Sequence, residues 1–497
     1  MSSRSHSAVA LWNARHPRSS GDRAFAIYAV VMVALVAIAP IGRAIWLSAG
    51  SREGLALLSN GAAPTVTSAA VALMWACALV VGRDRGPAVR APFVAYALAL
   101  SDLSRFETFR GPLLRSGGIV VAVSALAAGF VGSILASRGL SDPGSVARFT
   151  AVGALVGVIT TVAWLVGQAV PRAAVAGALT IVACAALTCV VPALQMYTPW
   201  GWAGLSYPTT GSSPFLTALA ALAVILACLA PALMNRFVLA DLMTHAARWD
   251  AAITHAAGMD FSSAATIYQS MPHRGRHVRA VRPHTRLMWT FFLRNVIGAT
   301  RTPGRLLVSI VALTTAGGLI TLALTPGTPG WLLGATAGVI AFLALGPLTD
   351  GVRHAATVAS DFPIYGISDE RLLIQHTLFP LVITVGVLVA VAVTCSVIIG
   401  TGAGASCVSA LVLGLVALST RIINALKGPL PISLLSPIST PVGDVMAAVR
   451  LVWAFDAVAL AALGGAAAAV ALVSPLLVLG VGVTIAAVAL TRWRGRR

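Results

Sequence analysis

The side chains able to do chemistry in this 497-residue chain are few, and most reactions can be weighed against them one at a time. Lys427 is the only lysine, and Gly428 follows it. A phosphate-cradling P-loop needs its lysine immediately before Ser or Thr, so no Walker-type ATP hydrolysis is expected from this chain. The glycine-rich run at 400–404 joins two apolar runs and reads as a turn rather than a nucleotide site. His273, His277 and His284 have arginine neighbours and no nearby carboxylate or cysteine, which argues against zinc. The six cysteines, Cys77, Cys184, Cys189, Cys228, Cys395 and Cys407, lie in or beside apolar runs without metal-ligand spacing and read as small packing residues, with no disulfide expected. Glu53 and Asp142 are the only acids in loops assigned to the outer face, a poor basis for acid–base or metal chemistry there. No catalytic, cofactor-binding or metal constellation emerges, and the chain is not expected to be an enzyme.

Asp456 is the one acid well inside an apolar run, at 451–472. A charge there costs about 2.5–3.5 kcal/mol on insertion scales, so it should face protein or a wet cavity. Two readings stand side by side: a substrate or proton site, or a carboxylate near the interface paired with Arg450 or a backbone donor. Two polar stretches carry the other notable charges. The first includes Arg83, Asp84, Arg85, Ser101, Asp102, Arg105 and Glu107, and the second Ser368, Asp369, Glu370 and Arg371. In each, a Ser-Asp pair (101–102 and 368–369) is expected to open a short amphipathic helix as its N-cap.

The elements that must carry these residues are apolar. The chain is 58% hydrophobic and 10% charged, with a mean hydropathy of +0.90, against about 25% charged in soluble chains. That excludes a soluble enzyme, a disordered chain and a disulfide scaffold. Apolar runs at 24–41, 64–82, 117–136, 151–170, 173–194, 215–233, 306–324, 331–348, 377–399, 402–418, 451–472 and 475–490 predict an all-α polytopic membrane protein of about twelve spans. With the N-terminus inside, 30 of 34 basic residues fall on the cytoplasmic side and only Arg43, Arg52, Arg138 and Arg148 outside. Both termini are then cytoplasmic, and the tail from Arg492 to Arg497 stops at anionic lipid headgroups rather than binding nucleic acid. The run after residue 23 lacks a small-residue cleavage site and reads as a retained helix. Arginine outnumbers lysine 33 to 1, a bias expected of a GC-rich bacterial genome.

An internal repeat organises the runs. Basic segments at 15–23 and 294–305 precede the first and seventh spans, and Gly21-Asp22-Arg23 aligns with Pro303-Gly304-Arg305. After two spans each half has a polar stretch of about thirty residues, at 82–116 and 348–380, far longer than a tight helical hairpin needs. Two six-helix halves, 1–234 and 291–497, thus flank a linker at 235–290. The linker, with Arg236, Asp241, His245, Arg248, Asp250, His255 and Asp260, reads as a solvated connector whose basic part lies on anionic headgroups. Gly153-x-x-x-Gly157 reads as close helix packing.

At these polar stretches the chain resembles ABC-2-type exporter permeases. Arg83-Asp84-Arg85-Gly86, an apolar segment, Leu100-Ser101-Asp102 and an amphipathic helix to Arg115 look like that family's loop between its second and third helices. Ile367-Ser368-Asp369-Glu370-Arg371-Leu372-Leu373 is similar to its Ser-x-x-Arg turn. The resemblance covers the architecture of the whole chain and about seventy residues of motif. It implies a bacterial cytoplasmic-membrane exporter subunit coupled to separate ATPase subunits, two copies per chain, which hold the ATP and magnesium. The motif residues from Arg83 to Glu107 and Ser368 to Arg371 would form or flank the coupling surface. Residues 195–214, with Trp200, Trp202 and Tyr207, resemble the family's re-entrant or interfacial outer segment, where aromatic rings favour headgroup depth. The chain departs from the family pattern in fusing two halves. The substrate class is open among amphipathic drugs, peptides and lipids.

A major-facilitator secondary transporter is the alternative, since Gly346-Pro347-Leu348-Thr349-Asp350 resembles part of its signature. The long loops and the basic segments before spans one and seven weigh against it. A non-transporting membrane subunit or a lipid-modifying membrane enzyme is a third reading, without a visible catalytic constellation.

Overall fold

A run of about twenty apolar residues in a bilayer must satisfy its backbone N–H and C=O groups within itself, which selects helix. The computed structural model is accordingly helical almost throughout, and among the described residues ten helices are long and apolar enough to cross a membrane. An eleventh crossing forms if the bent pair Gly330–Ala344 and Pro347–Val358 counts as one. The chain is therefore a multi-pass membrane protein. The structure describes residues 34–210, 214–257, 259–269, 286–359, 366–428, 430–435, 439–440 and 443–495, with scattered positions at 10–31 and 275–281. The basic segment at 15–23 thus lies outside the described residues and that at 273–285 largely so, while the expected first span at 24–41 is described continuously only from residue 34.

The chain divides into two compact units, one of Met1–His255 with Ser263–Tyr268, the other of Ala256–Ser262 with Gln269–Arg497. In the first, a π-helical turn Ala34–Ile38 leads into α1 (Ala39–Ala49) and α2 (Arg52–Leu58). There follow α3 (Ala63–Asp84), the short α4 (Pro92–Ala99), α5 (Arg105–Ser137), α6 (Pro143–Ala169) and α7 (Pro171–Val190). A 3-10 turn, Pro192–Tyr197, precedes α8 (Pro199–Leu205), then α9 (Pro214–Met234) and the polar helix α10 (Leu239–Ala257). The core gathers around α6, where Phe149, Val152 and Val156 meet Trp75 of α3, Leu135 of α5 and Leu219 of α9. Small residues set these crossings. A Cβ on Gly153 would fall 2.6 Å from the Ser124 carbonyl oxygen, and one on Gly157 2.6 Å from the Val121 Cα, so α5 and α6 touch backbone to backbone as the Gly-x-x-x-Gly spacing predicts.

Helix α11 (Phe261–Ile267) is divided between the units, with 263–267 in the first, and the helices of the second open with α12 (Leu287–Thr300) and α13 (Pro303–Leu322). Then come α14 (Gly330–Ala344), a 3-10 turn at Pro347–Thr349, α15 (Asp350–Val358), α16 (Asp369–Ile399), α17 (Ala403–Leu426), α18 (Val445–Ala469) and α19 (Pro475–Arg494). Here α17 is central: Leu413 and Ala417 pack with Leu313 and Ala316 of α13 and Leu388 of α16. Gly400 closes α16 in the left-handed region at φ 81°, which supports the turn reading of the glycine-rich run.

Three expectations about element limits are corrected. The apolar runs at 117–136 and 377–399 are not separate from the polar helices before them; each merges with its polar lead into one helix, of 33 and 31 residues. The helix runs on through Arg115-Ser116-Gly117-Gly118 at the first join and Gln375-His376-Thr377 at the second, and both helices pass through an internal proline, Pro112 and Pro380. The run at 331–348 does not end as a simple span. Gly346-Pro347 turns the chain by 46° between α14 and α15, since proline cannot continue the ladder. Finally, the run at 402–418 continues as helix to Leu426, carrying Arg421 with it.

Candidate functional site

The first polar stretch is held by the linker helix. His245, Arg248 and Trp249 lie on one face of α10 at i, i+3 and i+4, and they meet three successive residues of the stretch. His245 Nε2 donates to the Arg83 carbonyl oxygen at 3.2 Å, Arg248 Nη1 lies 3.7 Å from Asp84 Oδ1, and the Arg85 guanidinium stacks 4.1 Å from the Trp249 ring centroid. The end of α6 grips the same segment from the other side. Trp164 Nε1 donates to the Arg85 carbonyl at 2.5 Å, and the Gln168 amide accepts from Ala88 N at 3.2 Å and donates to Ala88 O at 3.3 Å. A Cβ on Gly86 would fall 1.9 Å from Gln168 Cδ, so the approach requires glycine.

Because Nε2 donates, His245 Nδ1 is a bare acceptor, and it is buried without a partner. Burial holds the imidazole below its ordinary range, and the Arg248 charge adds to that; the Arg83 carbonyl, Asp241 and Asp84 pull the other way. The linker helix is thus no detached connector. Its docking residues could have been suspected from the spacing of Leu242, His245, Ala246 and Trp249, whose common face is that of an amphipathic helix.

Beyond the grip, α4 buries Val94, Ala95, Leu98 and Ala99 and exposes Phe93, Tyr96 and Leu100. Ser101 Oγ donates to the Leu98 carbonyl at 2.7 Å and so ends α4 instead of opening the next helix. The cap of α5 is Ser104, whose Oγ accepts from Glu107 N at 3.2 Å. Ser104-x-x-Glu107 matches the capping-box pattern, which is why the cap falls three residues beyond Ser101. Asp102 is exposed, whereas Arg105 is engaged, donating from Nη1 to the Ala99 carbonyl. Arg90 Nε donates to the Thr108 carbonyl at 2.9 Å, and burial lowers its guanidinium from the ordinary arginine value.

In the second stretch Ser368 caps α16 as expected, accepting from Arg371 N at 3.5 Å, with Asp369 and Glu370 in the favourable first turn. Arg371 is exposed. Behind the cap, Asn295 of α12 bonds to His376 Nδ1 at 3.1 Å, and Phe291 meets the same ring edge-on at 4.9 Å. Each stretch therefore pairs exposed polar residues with a rigidly seated base.

Asp456 lies in α18 and is paired on both oxygens. Lys427 Nζ donates to Oδ1 at 2.9 Å, and Arg492 Nη2 of α19 binds Oδ2. Arg492 also reaches the Ile423 carbonyl at 3.0 Å, and Lys427 stands 4.1 Å over the Trp453 ring. Arg450 is not its partner; Arg450 Nη1 donates to the Leu434 carbonyl at 3.0 Å. Six residues apart on a helix means about 120° around the axis, so the two side chains diverge. Arg492 likewise points into the unit and not simply out to headgroups. The pairing explains how an acid sits in a span.

The outer aromatic segment is packed inward. Trp200 of α8 meets Trp75 edge-on at 6.5 Å, Tyr207 meets Phe149 at 5.4 Å, and Tyr207 Oη donates to the Leu58 carbonyl at 2.9 Å. Burial pushes the Tyr207 phenol up to about 12. Trp200 and Tyr207 are therefore anchors buried within the protein, while Trp202 is half-buried and donates to the Met196 carbonyl at 2.8 Å. Two glycines permit the fit: a Cβ on Gly204 would lie 2.2 Å from the Pro64 carbonyl, and one on Gly201 2.0 Å from that of Gln195. Four of the six cysteines, Cys77, Cys184, Cys189 and Cys228, are on exposed helix surfaces, so they are not interior packing residues.

These elements define the class, a polytopic α-helical membrane protein with two polar platforms at the bases of long helices. No protein-family model, curated protein or solved structure matches the chain.

Proposed function

We propose that the chain is the membrane-spanning permease of an ATP-binding cassette exporter in a bacterial cytoplasmic membrane. It moves an amphipathic or hydrophobic substrate and draws its energy from separate ATPase subunits that bind ATP and magnesium. The supporting observation is the build of the two polar stretches. Each stands at the capped start of a helix that continues unbroken into a span, and each keeps polar residues exposed, Ser101 and Asp102 in one, Ser368 and Arg371 in the other. In the first, the Phe93, Tyr96 and Leu100 face adds an apolar contact surface of the kind a protein partner covers. Engagement of Asp456 by two cations weighs against the proton-coupled alternative.

The test is mild-detergent purification of the tagged chain from its native membrane, with mass spectrometry of what accompanies it. A stoichiometric P-loop ATPase is the expected result, and deletion of 368–373 is expected to release it while the chain still inserts. Reproducible recovery of the chain alone would overturn the reading.

A further inference from the structure

The break between α14 and α15 faces a cation that lacks a counter-ion. Arg421 of α17 stacks its guanidinium 4.7 Å from the Phe342 ring centroid, and a Cβ on Gly346 would fall 2.6 Å from Arg421 Nη2. Glycine at 346 is thus what gives the guanidinium its room. Among the described residues, Arg421 makes no hydrogen bond or ion pair. Stacking satisfies only the face of the guanidinium plane, and its N–H edges need acceptors of their own.

The surrounding charge is positive. Arg353 and Asp350 both act on Arg421, but Arg305 Nη1 already holds Asp350 Oδ2 at 3.0 Å. Three arginines therefore share one carboxylate. An ionisable group inside a span marks a site by default, and discontinuous helices are where membrane carriers build ligand sites. A planar guanidinium favours an oxyanion that can accept two parallel bonds. The helices on either side are apolar outside, with Leu343, Leu411 and Leu415 exposed, which suits an acyl chain.

We propose that the break between α14 and α15 binds the phosphate head of an anionic amphiphile, with Arg421 as its direct partner and Arg353 and Arg305 setting the field. This assignment stands apart from the exporter reading, because it needs no ATPase and concerns the second unit alone.

The test uses the full chain in neutral detergent and follows its thermal transition by tryptophan fluorescence during titration with dihexanoyl-phosphatidylglycerol. Dihexanoyl-phosphatidylcholine and inorganic phosphate form the parallel arms. A saturable rise of the midpoint is expected with phosphatidylglycerol alone, and Arg421→Gln is expected to need at least about tenfold more of it for the same rise. Gly346→Ala keeps every charge and crowds the guanidinium; since Gly346 is helical at φ −49°, its backbone accepts alanine. It should weaken the response likewise, and it carries the test if Arg421→Gln does not fold. An equal response to phosphatidylcholine, or an unchanged titration in Gly346→Ala and in any folded Arg421→Gln, would overturn the site. A full response to inorganic phosphate would overturn the amphiphile and leave a simple oxyanion pocket.

Discussion

Replacing Asp456 by asparagine tests whether the carboxylate is what gathers α17, α18 and α19. The change leaves Lys427 and Arg492 facing one another with side chains only 7% and 16% exposed. Removing one member of a buried ionic cluster costs about 3–5 kcal/mol. Asp456 is 22% exposed, so partial solvation places the expected loss at the lower end, about 3 kcal/mol. For a unit of this size, at about 2–4 °C per kcal/mol, the thermal midpoint should fall by about 6–12 °C. The assay is tryptophan fluorescence of the detergent-solubilised chain, with size-exclusion chromatography to verify monodispersity at the start. Lys427→Gln should cost less than half as much, because Arg492 still holds the acid. Adding Arg492→Gln to Asp456→Asn should recover stability, because it removes a surplus cation. A midpoint shift below about 2 °C in Asp456→Asn, or a further loss in the double variant, would refute the argument.

The grip of α10 on residues 83–85 should depend on pH. The folded value of His245 is lowered from 6.5 by burial, so the docked state binds its proton less readily than the undocked state. Docking should be fully stable above pH 6.5 and weaken as pH falls from there towards the lowered value; hydrogen exchange of 239–257 at pH 7.5 and 5.5 reads this, and His245→Gln should flatten it. Ser104→Ala should cost about 1 kcal/mol and speed exchange at the start of α5, whereas Ser101→Ala leaves that turn unchanged. Gly204→Ala should force α8 from α3, since its Cβ would meet backbone at 2.2 Å, and lower the midpoint by an amount equivalent to about 1–3 kcal/mol.

The membrane class was legible because apolar runs of span length admit only one backbone solution. Ser368 was legible as a cap because acids follow it directly. Ser101 misled because it too precedes an acid, and only the turn that ends α4 decides between it and Ser104. The partners of Asp456 lie 29 and 36 residues away in sequence, a separation no local pattern encodes. Arg421 was hidden by where the most apolar part of its run stops, although helix continues past it. The hold of α10 on Arg83, Asp84 and Arg85 joins positions more than 160 residues apart, and the amphipathic spacing of α10 declared a buried face without naming what covers it.

The two merged helices have a mechanical consequence. At 33 and 31 residues, α5 and α16 are about 50 and 46 Å long, well beyond the about 30 Å of a hydrocarbon core. Each is a lever arm with one end outside the apolar slab. A rotation of about 10° imposed at the capped end of such a rod displaces its far end by about 9 Å. Force applied at Ser104 or Ser368 has no loop along the way in which to dissipate, only the bends that Pro112 and Pro380 permit.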